Sequence, residues 1–164
     1  MPIVSNTSPL LNLAIIDELA LLRQQFGQLI IPSIVQTELR LNTTYPGVPR
    51  LEQALRDGWI RVETLASNDS LLQLLQLELD AGEAAAIALA KKHGERQILL
   101  DEREGRKKAK ALGLIPIGVL GVLLRAKREG QLNAVSHAIK ALQDEAGFRL
   151  SDHLVHQVLE AAGE

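Results

Sequence analysis

The chain has 164 residues and a formal net charge of −2 at pH 7, a length that fits one globular domain and leaves little room for two. Hydrophobic residues make up 46% of the chain and aromatic residues only 2%, which excludes intrinsic disorder and argues against a base-stacking platform of several exposed rings. There is no cysteine, so disulfides, thiolate zinc sites and a cysteine nucleophile are excluded, and a reducing compartment is indicated.

Short strand-like runs alternate with helical segments along the chain. The predicted elements are, in order, a strand at 2–5, a helix from Ser8 to about Gln25, a strand at 28–31, a helix from Pro32 to about Leu41, a loop at 42–49, a helix at 50–57, a strand at 59–63, helices at 68–77 and 80–92, a strand at 97–100, a helix at 102–112, a strand at 115–117, and helices at 119–129, 133–145 and 151–162. This alternation is typical of a parallel sheet with helices on both faces. We therefore predict a single α/β domain over 1–164 with a five-stranded parallel sheet.

No segment has the pattern of a targeting signal or a membrane span. The first five residues lack the basic region and the long apolar stretch of a signal peptide. The most apolar run, 113–124, is too short to span a bilayer and is interrupted by Gly and Pro. We expect a cytoplasmic protein with no membrane partner.

Polar residues from four parts of the chain are expected at one edge of this sheet. In open parallel sheets ligands bind at the carboxyl ends of the strands, and a helix that leads into a strand begins at that same edge. The residues placed there are Asn6, Glu38, Asp80, Glu83, Asp101 and Glu102. Such a set offers only oxygen ligands, which suit Mg²⁺ or Mn²⁺, and without a cation the carboxylates would repel one another.

Each of these acidic residues also has a purely structural interpretation. Asp80 and Glu83 have the spacing of a helix capping box. Asp101 could cap the helix at 102–112, and Glu38 could be a solvated helix residue. The metal-site hypothesis therefore depends on the convergence of these side chains at one edge.

Positive charge is concentrated in one segment. Residues 103–128 contain eight basic side chains and one acidic side chain, a net charge of +7. On the predicted helix 102–112, four basic residues with three- and four-residue spacing form one stripe: Arg103, Arg106, Lys107 and Lys110. The stripe would be extended by Arg125, Lys127 and Arg128 if the next helix is its neighbour. It is either an ordinary solvated face or, beside a metal site, a surface that holds a phosphodiester backbone.

Four motifs together resemble the PIN-domain family. They are IVSNTSPLLNLA at the start, LIIPSIVQTEL around Glu38, GEAAAIALA from Gly82 and ILLDEREGR around Asp101. The likeness is to the prokaryotic branch near the VapC-type toxins of toxin–antitoxin pairs. GVLGVLL at 118–124 and GFRLS at 147–151 fit that branch too, so the resemblance covers nearly the whole chain.

The resemblance implies a five-stranded parallel sheet between helices and Mg²⁺- or Mn²⁺-dependent cleavage of single-stranded RNA. The metal ligands that it implies are Asn6, Glu38, Glu83, Asp101 and the adjacent Glu102, of which Glu38, Glu83 and Asp101 would be catalytic. The residues expected to contact RNA are Ser8, Arg103, Arg106, Lys107 and Lys110. The resemblance to the toxin branch also implies an antitoxin protein as a partner. The family usually has Asp where this chain has Asn6, which removes one negative charge from the metal site.

Two other function classes stay open on the sequence. With Asn6 in place of the first acid, the chain could be a PIN-like module that binds RNA or a protein and has weak or no nuclease activity. A receiver-like regulatory domain with a phospho-acceptor at its acidic edge is the third class. It is disfavoured because the first strand does not end in paired acids.

Leucines between residues 71 and 79 indicate self-association. Six of these nine residues are leucine, and they occupy more than one face of the predicted helix at 68–77. A helix that is apolar on several sides is either deeply buried or part of an interface. Because PIN-like proteins that resemble this chain often pair, we predict a homodimer.

Overall fold

Five parallel strands form one sheet in the computed structural model, which describes residues 2–164. The strands are β1 (Ile3–Ser5), β2 (Leu29–Pro32), β3 (Ile60–Glu63), β4 (Gln97–Leu99) and β5 (Ile115–Ile117). Their order in the sheet is β3-β2-β1-β4-β5, and each neighbouring pair is parallel. After β3 the chain crosses to the other side of β1, so the strand order reverses between β1 and β4. In sheets of this kind the ligand site lies at the carboxyl edge of that reversal point.

Helices cover both faces of the sheet, which confirms the predicted α/β fold. Within residues 2–164 they are α1 (Thr7–Ile15), α2 (Ala20–Phe26), α3 (Ser33–Glu38), α4 (Val48–Arg56), α5 (Ser70–Leu75), α6 (Ala81–Lys92), α7 (Arg103–Ala111), α8 (Val119–Arg128), α9 (Val135–Asp144) and α10 (Asp152–Ala161). None of these helices, over the described part of the chain, combines the length and apolarity needed to cross a membrane.

The strands divide the core into two layers because successive side chains point to opposite faces. On β1, Ile3 belongs to a first core with α1–α4 and α8–α10, whereas Val4 belongs to a second core with α5–α7. Helix α6 is buried from Gly82 to Ala90, and its alanines let it lie close to β1, β2 and β4. Any polar residue in the first turn of α6 is therefore held beside the central strands.

The predicted helix at 8–25 is two helices in the structure. Helix α1 ends at Ile15 and α2 begins at Ala20. Between them Asp17 has φ of 62°, a left-handed conformation that Asp tolerates better than most residues, and its carboxylate pairs with Arg50. A straight helix of that predicted length would extend about 27 Å, well beyond strands of three or four residues. The turn instead keeps both helices over the sheet.

Smaller boundary differences place two site residues at helix ends. Helix α1 begins at Thr7 with Asn6 at its N-cap position, rather than behind Ser8 as predicted. Helix α3 ends at Glu38, three residues before the predicted end, because Arg40 adopts a positive φ of 56°.

Candidate functional site

The predicted polar residues lie around the carboxyl edge of β1 and β4. Asn6 follows β1, and its backbone N–H donates to the carbonyl oxygen of Leu99 at 3.0 Å, which ties the two strands together at this edge. Asp101 comes two residues after Leu99. Glu83 lies in the first turn of α6, which packs on both strands. The switch point of the sheet therefore gathers groups from three separate parts of the chain.

Asn6 and Glu38 face one small space beside Gly82. A Cβ atom on Gly82 would lie 2.7 Å from each carboxylate oxygen of Glu38 and 3.1 Å from Oδ1 of Asn6. The hydroxyl of Thr7 donates a hydrogen bond to the Glu38 carboxylate and orients it. Because Gly82 has no side chain, the oxygens of two different elements can approach the same point.

The side-chain oxygen of Asn6 is buried and has no hydrogen-bond partner within residues 2–164. Asn6 is only 4% exposed, and leaving a buried acceptor unsatisfied costs about 1–3 kcal/mol. Native proteins leave few polar groups in this state. An amide oxygen is an ordinary ligand for hard cations, so a cation between Asn6 and Glu38 would supply the missing partner.

Glu83 is a buried carboxyl group among other acids. It is 6% exposed, and its backbone N–H donates to Oδ1 of Asp80 at 3.0 Å. Burial and, to a smaller extent, the negative charges of Asp80, Glu102 and Glu38 together raise the pKa of Glu83 from 4.5 to about 7, against the lowering effect of the backbone hydrogen bond with Asp80. Asp80 therefore caps α6 as the capping-box interpretation predicted, while the Glu83 carboxyl group faces the acidic edge.

Asp101 is held by the N-terminus of α8. Its Oδ1 and Oδ2 atoms lie 3.1 and 3.3 Å from the backbone nitrogen of Val119, which donates to them. Burial raises the pKa of Asp101 from 3.8 to about 6, although the Val119 hydrogen bond and the charge of Arg106 lower it, and Glu102 raises it. Asp101 therefore caps α8. The interpretation that it caps the predicted helix at 102–112 was wrong.

The predicted ligands line one edge but do not form a closed cluster. Within residues 2–164, no three acidic or histidine side chains lie close enough together to hold a metal ion. Asn6 and Glu38 meet beside Gly82, whereas Asp101 faces α8. Glu102 is exposed at the N-cap position of α7. The donors are all oxygen atoms and fit Mg²⁺ or Mn²⁺, with part of the coordination shell left to water or to a phosphate.

The predicted basic stripe lies on α7, beside Asp101. Arg103, Lys107 and Lys110 are exposed, so their charges are available to a polyanion. Arg106 is half-buried and donates from Nη1 to the carbonyl oxygen of Leu100 at 2.9 Å. Ser8 is half-buried in the first turn of α1, on the side of the site formed by β1.

Helix α8 does not extend this stripe. Helix α7 packs into the second core and α8 into the first, so the two helices cover opposite faces of the sheet. Arg125 pairs with Glu129 at 2.8 Å, and Lys127 donates to the carbonyl oxygen of Asn133 at 2.7 Å. The positive surface beside the site is therefore that of α7.

The raised pKa values predict how the metal-free protein responds to pH. In the unfolded chain Glu83 and Asp101 ionise near 4.5 and 3.8, but in the folded chain only near 7 and 6. The stability that they contribute is complete below pH 4 and is lost as the pH rises to about 7, because the unfolded state releases these protons first. We expect the melting temperature to fall over this range, and Mn²⁺ to restore it at pH 8 because a cation favours ionised ligands.

The variant Glu83→Gln tests this pH dependence, because its amide cannot ionise. Thermal unfolding of the metal-free variant should show a flatter pH profile than wild type and a melting temperature several degrees higher at pH 8. An identical profile in the two proteins would mean that Glu83 ionises normally in the folded state.

Comparison with family models identifies the chain. The DUF3368 family model, which describes a PIN domain, matches residues 2–164. No curated protein and no solved structure gives a significant match. The matched segment contains the whole sheet and the polar edge described above, and the chain belongs to the PIN-domain family.

Proposed function

We propose that this protein is a divalent-metal-dependent endoribonuclease that cleaves single-stranded RNA. The observation that carries the proposal is the pairing of Asn6 and Glu38 across Gly82, with the Asn6 oxygen buried and without a partner in the described chain. Family membership supports the reaction class, because PIN domains are in general nuclease-type proteins that use divalent metal ions and bind RNA.

We propose that the oxygen atoms of Asn6, Glu38 and Glu83 hold the metal, with Asp101 and Glu102, on the same edge, as its further ligands. A bound divalent cation supplies Lewis acidity at the scissile phosphate. Thr7 holds the Glu38 carboxylate in place. Asp101 fixes the start of α8 and lies beside the Arg106 guanidinium, which lowers its pKa. This arrangement places a positive side chain next to the site where a phosphate would bind.

The exposed charges of α7 are assigned to the RNA backbone. Arg103, Lys107 and Lys110 are exposed side chains on a helix that begins next to Asp101. Contacts of this kind bind phosphates without reading bases and weaken as the salt concentration rises. RNA affinity should therefore depend strongly on salt even when no metal is present.

Cleavage of a labelled RNA tests the proposal. We expect Mn²⁺-dependent cleavage of an unstructured oligonucleotide by wild type, and at least about tenfold slower cleavage by Glu83→Gln, since the loss of even an outer-shell partner of a metal site costs about 10- to 100-fold in affinity or activity. Structured RNA of equal length should be cut more slowly. Equal rates of RNA cleavage by wild type and Glu83→Gln would overturn the enzyme assignment.

A second candidate function is an RNA- or protein-binding module without turnover. It is favoured by the absence of a three-carboxylate cluster within residues 2–164 and by the amide at position 6. Salt-dependent RNA binding without Mn²⁺-dependent cleavage would select this function.

We also propose that the protein is a cytoplasmic homodimer and that it is the toxin of a toxin–antitoxin pair. In α5, Leu72 and Leu75 are buried and Leu74 is 64% exposed, and Leu77, just after the helix, is 81% exposed. Large exposed apolar side chains of this kind are typical of interfaces. A neighbouring gene for a small protein with a DNA-binding half would support the toxin role.

Light scattering tests the dimer directly. Wild type at micromolar concentration should have the mass of two chains, and Leu77→Gln should shift the equilibrium towards one chain without lowering the melting temperature of the fold. Leu72→Gln is the contrasting variant, because it places an amide in the second core and should destabilise the protein. A wild-type mass of one chain would contradict the dimer.

A further inference from the structure

A pocket beside Asp101 differs in chemistry from the acidic edge. Its volume is about 540 Å³, within the range of about 300–1,000 Å³ that small-molecule sites occupy. It lies between the start of α8 and residues 148–154, which form the end of the α9–α10 connection and the first turn of α10. Asp101 and Arg106 line it, so the pocket is continuous with the candidate active site.

One side of the pocket is apolar and contains an aromatic ring. The side chains that form it include Leu120, Phe148, Leu150 and Leu154. Phe148 packs against the first core, and its backbone N–H donates to the carbonyl oxygen of Leu142 at 2.8 Å. Gly147, with φ of 66°, makes the turn that brings Phe148 back over the end of α9. A half-buried ring fixed in this way is a suitable surface for stacking a nucleobase.

The polar groups of the pocket favour an anion. Arg149 is exposed and makes no ion pair or side-chain hydrogen bond within the described residues. Arg106 uses one N–H on Leu100 and keeps other donors. The carboxylate among the lining side chains, Asp101, already accepts from the Val119 N–H. The pocket therefore has two guanidinium groups and one carboxylate, which already accepts a hydrogen bond. Guanidinium groups bind phosphate oxygens well.

We propose that this pocket binds one unpaired nucleotide of the RNA strand, with its base on Phe148 and its phosphate at Arg149 and Arg106. The inference rests on the proposed function and adds to it a subsite next to the cleaved linkage. Composition argues against a platform of several rings, but a single nucleotide needs one ring. A second protein chain would also cover the leucines of the pocket. It would not account for two arginines next to the site at which we propose that a phosphate binds.

Nucleotide binding in metal-free buffer tests the pocket. The ligands are a nucleoside 5′-monophosphate and ribose 5-phosphate, which has the phosphate but no base, and binding is followed through the backbone amide signals of Gly118 and Gly121 in NMR spectra. Phe148→Leu should weaken the nucleotide about tenfold, as expected for one lost base stack, and leave ribose 5-phosphate unchanged. Arg149→Gln should weaken both ligands.

Matched controls exist for both variants. Phe26→Leu makes the same change at the other phenylalanine, which also packs against the first core, and Arg128→Gln removes an exposed charge at the far end of α8. Both should leave the two affinities unchanged. Equal binding of nucleotide and ribose 5-phosphate, or equal effects of Phe148→Leu and Phe26→Leu, would overturn the inference.

The result separates this subsite from the nuclease assignment. If the protein binds the nucleotide through its base but cuts no RNA, the nucleotide subsite is supported and the nuclease assignment is wrong. If the protein cleaves RNA but Phe148→Leu does not change its nucleotide affinity, the nuclease assignment is supported and the nucleotide subsite is wrong. Dissociation of a dimer by Phe148→Leu, with nucleotide binding unchanged, would assign the pocket to a second copy of the chain and overturn the inference.

Discussion

A single methyl group at position 82 should greatly weaken Mn²⁺ binding and RNA cleavage while slightly raising the thermal stability of the metal-free protein. The Cβ of Gly82→Ala would lie 2.7 Å from both oxygens of Glu38 and 3.1 Å from Oδ1 of Asn6. The Glu38 carboxylate is at the end of a flexible side chain, so it would move away and leave Asn6 alone. The loss of an outer-shell partner of a metal site already costs about 10- to 100-fold in affinity or activity, and we expect the displacement of a ligand to cost at least as much.

The stability of Gly82→Ala should change in the opposite direction. Alanine in a helix is favoured over glycine by up to about 1 kcal/mol, which corresponds to about 2–4 °C in a chain of this length. Gly121→Ala in α8 is the control, because its new Cβ would meet only Cγ2 of Ile117, at an ordinary 3.5 Å. Calorimetric Mn²⁺ titration of both variants decides the matter: unchanged affinity in Gly82→Ala would show that no cation binds between Asn6 and Glu38.

The sheet was predictable because its signals are local. Runs such as QLII at 28–31 and QILL at 97–100 are short, apolar and bounded by turn residues, and their alternation with helices indicates parallel pairing. The division of residues 8–25 into two helices was not predictable in the same way. It depends on the left-handed conformation of Asp17 and on its pairing with Arg50, a contact with a residue 33 positions away.

The edge of the candidate site was predictable, but the direction of its side chains was not. The rule for parallel sheets placed Asn6, Glu38 and Asp101 at one edge, and the structure has them there. The attachment of Asp101 to α8 required knowledge of Val119, 18 residues further along the chain. It also required Gly118, where a Cβ would collide with Oδ1 of Asp101.

Two more features of the site depend on which face each element covers. The role of Gly82 could not be predicted from its position next to Glu83, because that role depends on a contact with Glu38 on another helix. The stripe on α7 follows from spacing within one helix, whereas its extension to α8 required the two helices to share a face of the sheet. Sequence periodicity describes a helix and not the face that it covers, and the condition for that extension, that the two helices are neighbours, is not met.

The amide at position 6 provides the second large effect. Asn6→Asp should tighten Mn²⁺ binding about tenfold or more and accelerate cleavage, because a carboxylate supplies charge where an amide supplies only a dipole. The same change should lower the melting temperature of the metal-free protein. Residue 6 is 4% exposed and lies beside the Glu38 carboxylate, so the new charge would be buried next to another and would raise neighbouring pKa values.

These opposite shifts distinguish a metal ligand from a residue that merely packs at the edge of the sheet. Saturating Mn²⁺ should reverse the loss of stability in Asn6→Asp, since ligand binding to the folded state adds stability in proportion to the logarithm of the ligand concentration over Kd. Asn133→Asp, at an exposed position before α9, should change neither Mn²⁺ affinity nor the Mn²⁺-dependent gain in melting temperature. Asp101→Asn should abolish metal binding and cleavage but keep an acceptor for the Val119 N–H. If Asn6→Asp binds Mn²⁺ no more tightly than wild type, residue 6 does not face the cation, and the metal must lie closer to Glu83 and Asp101.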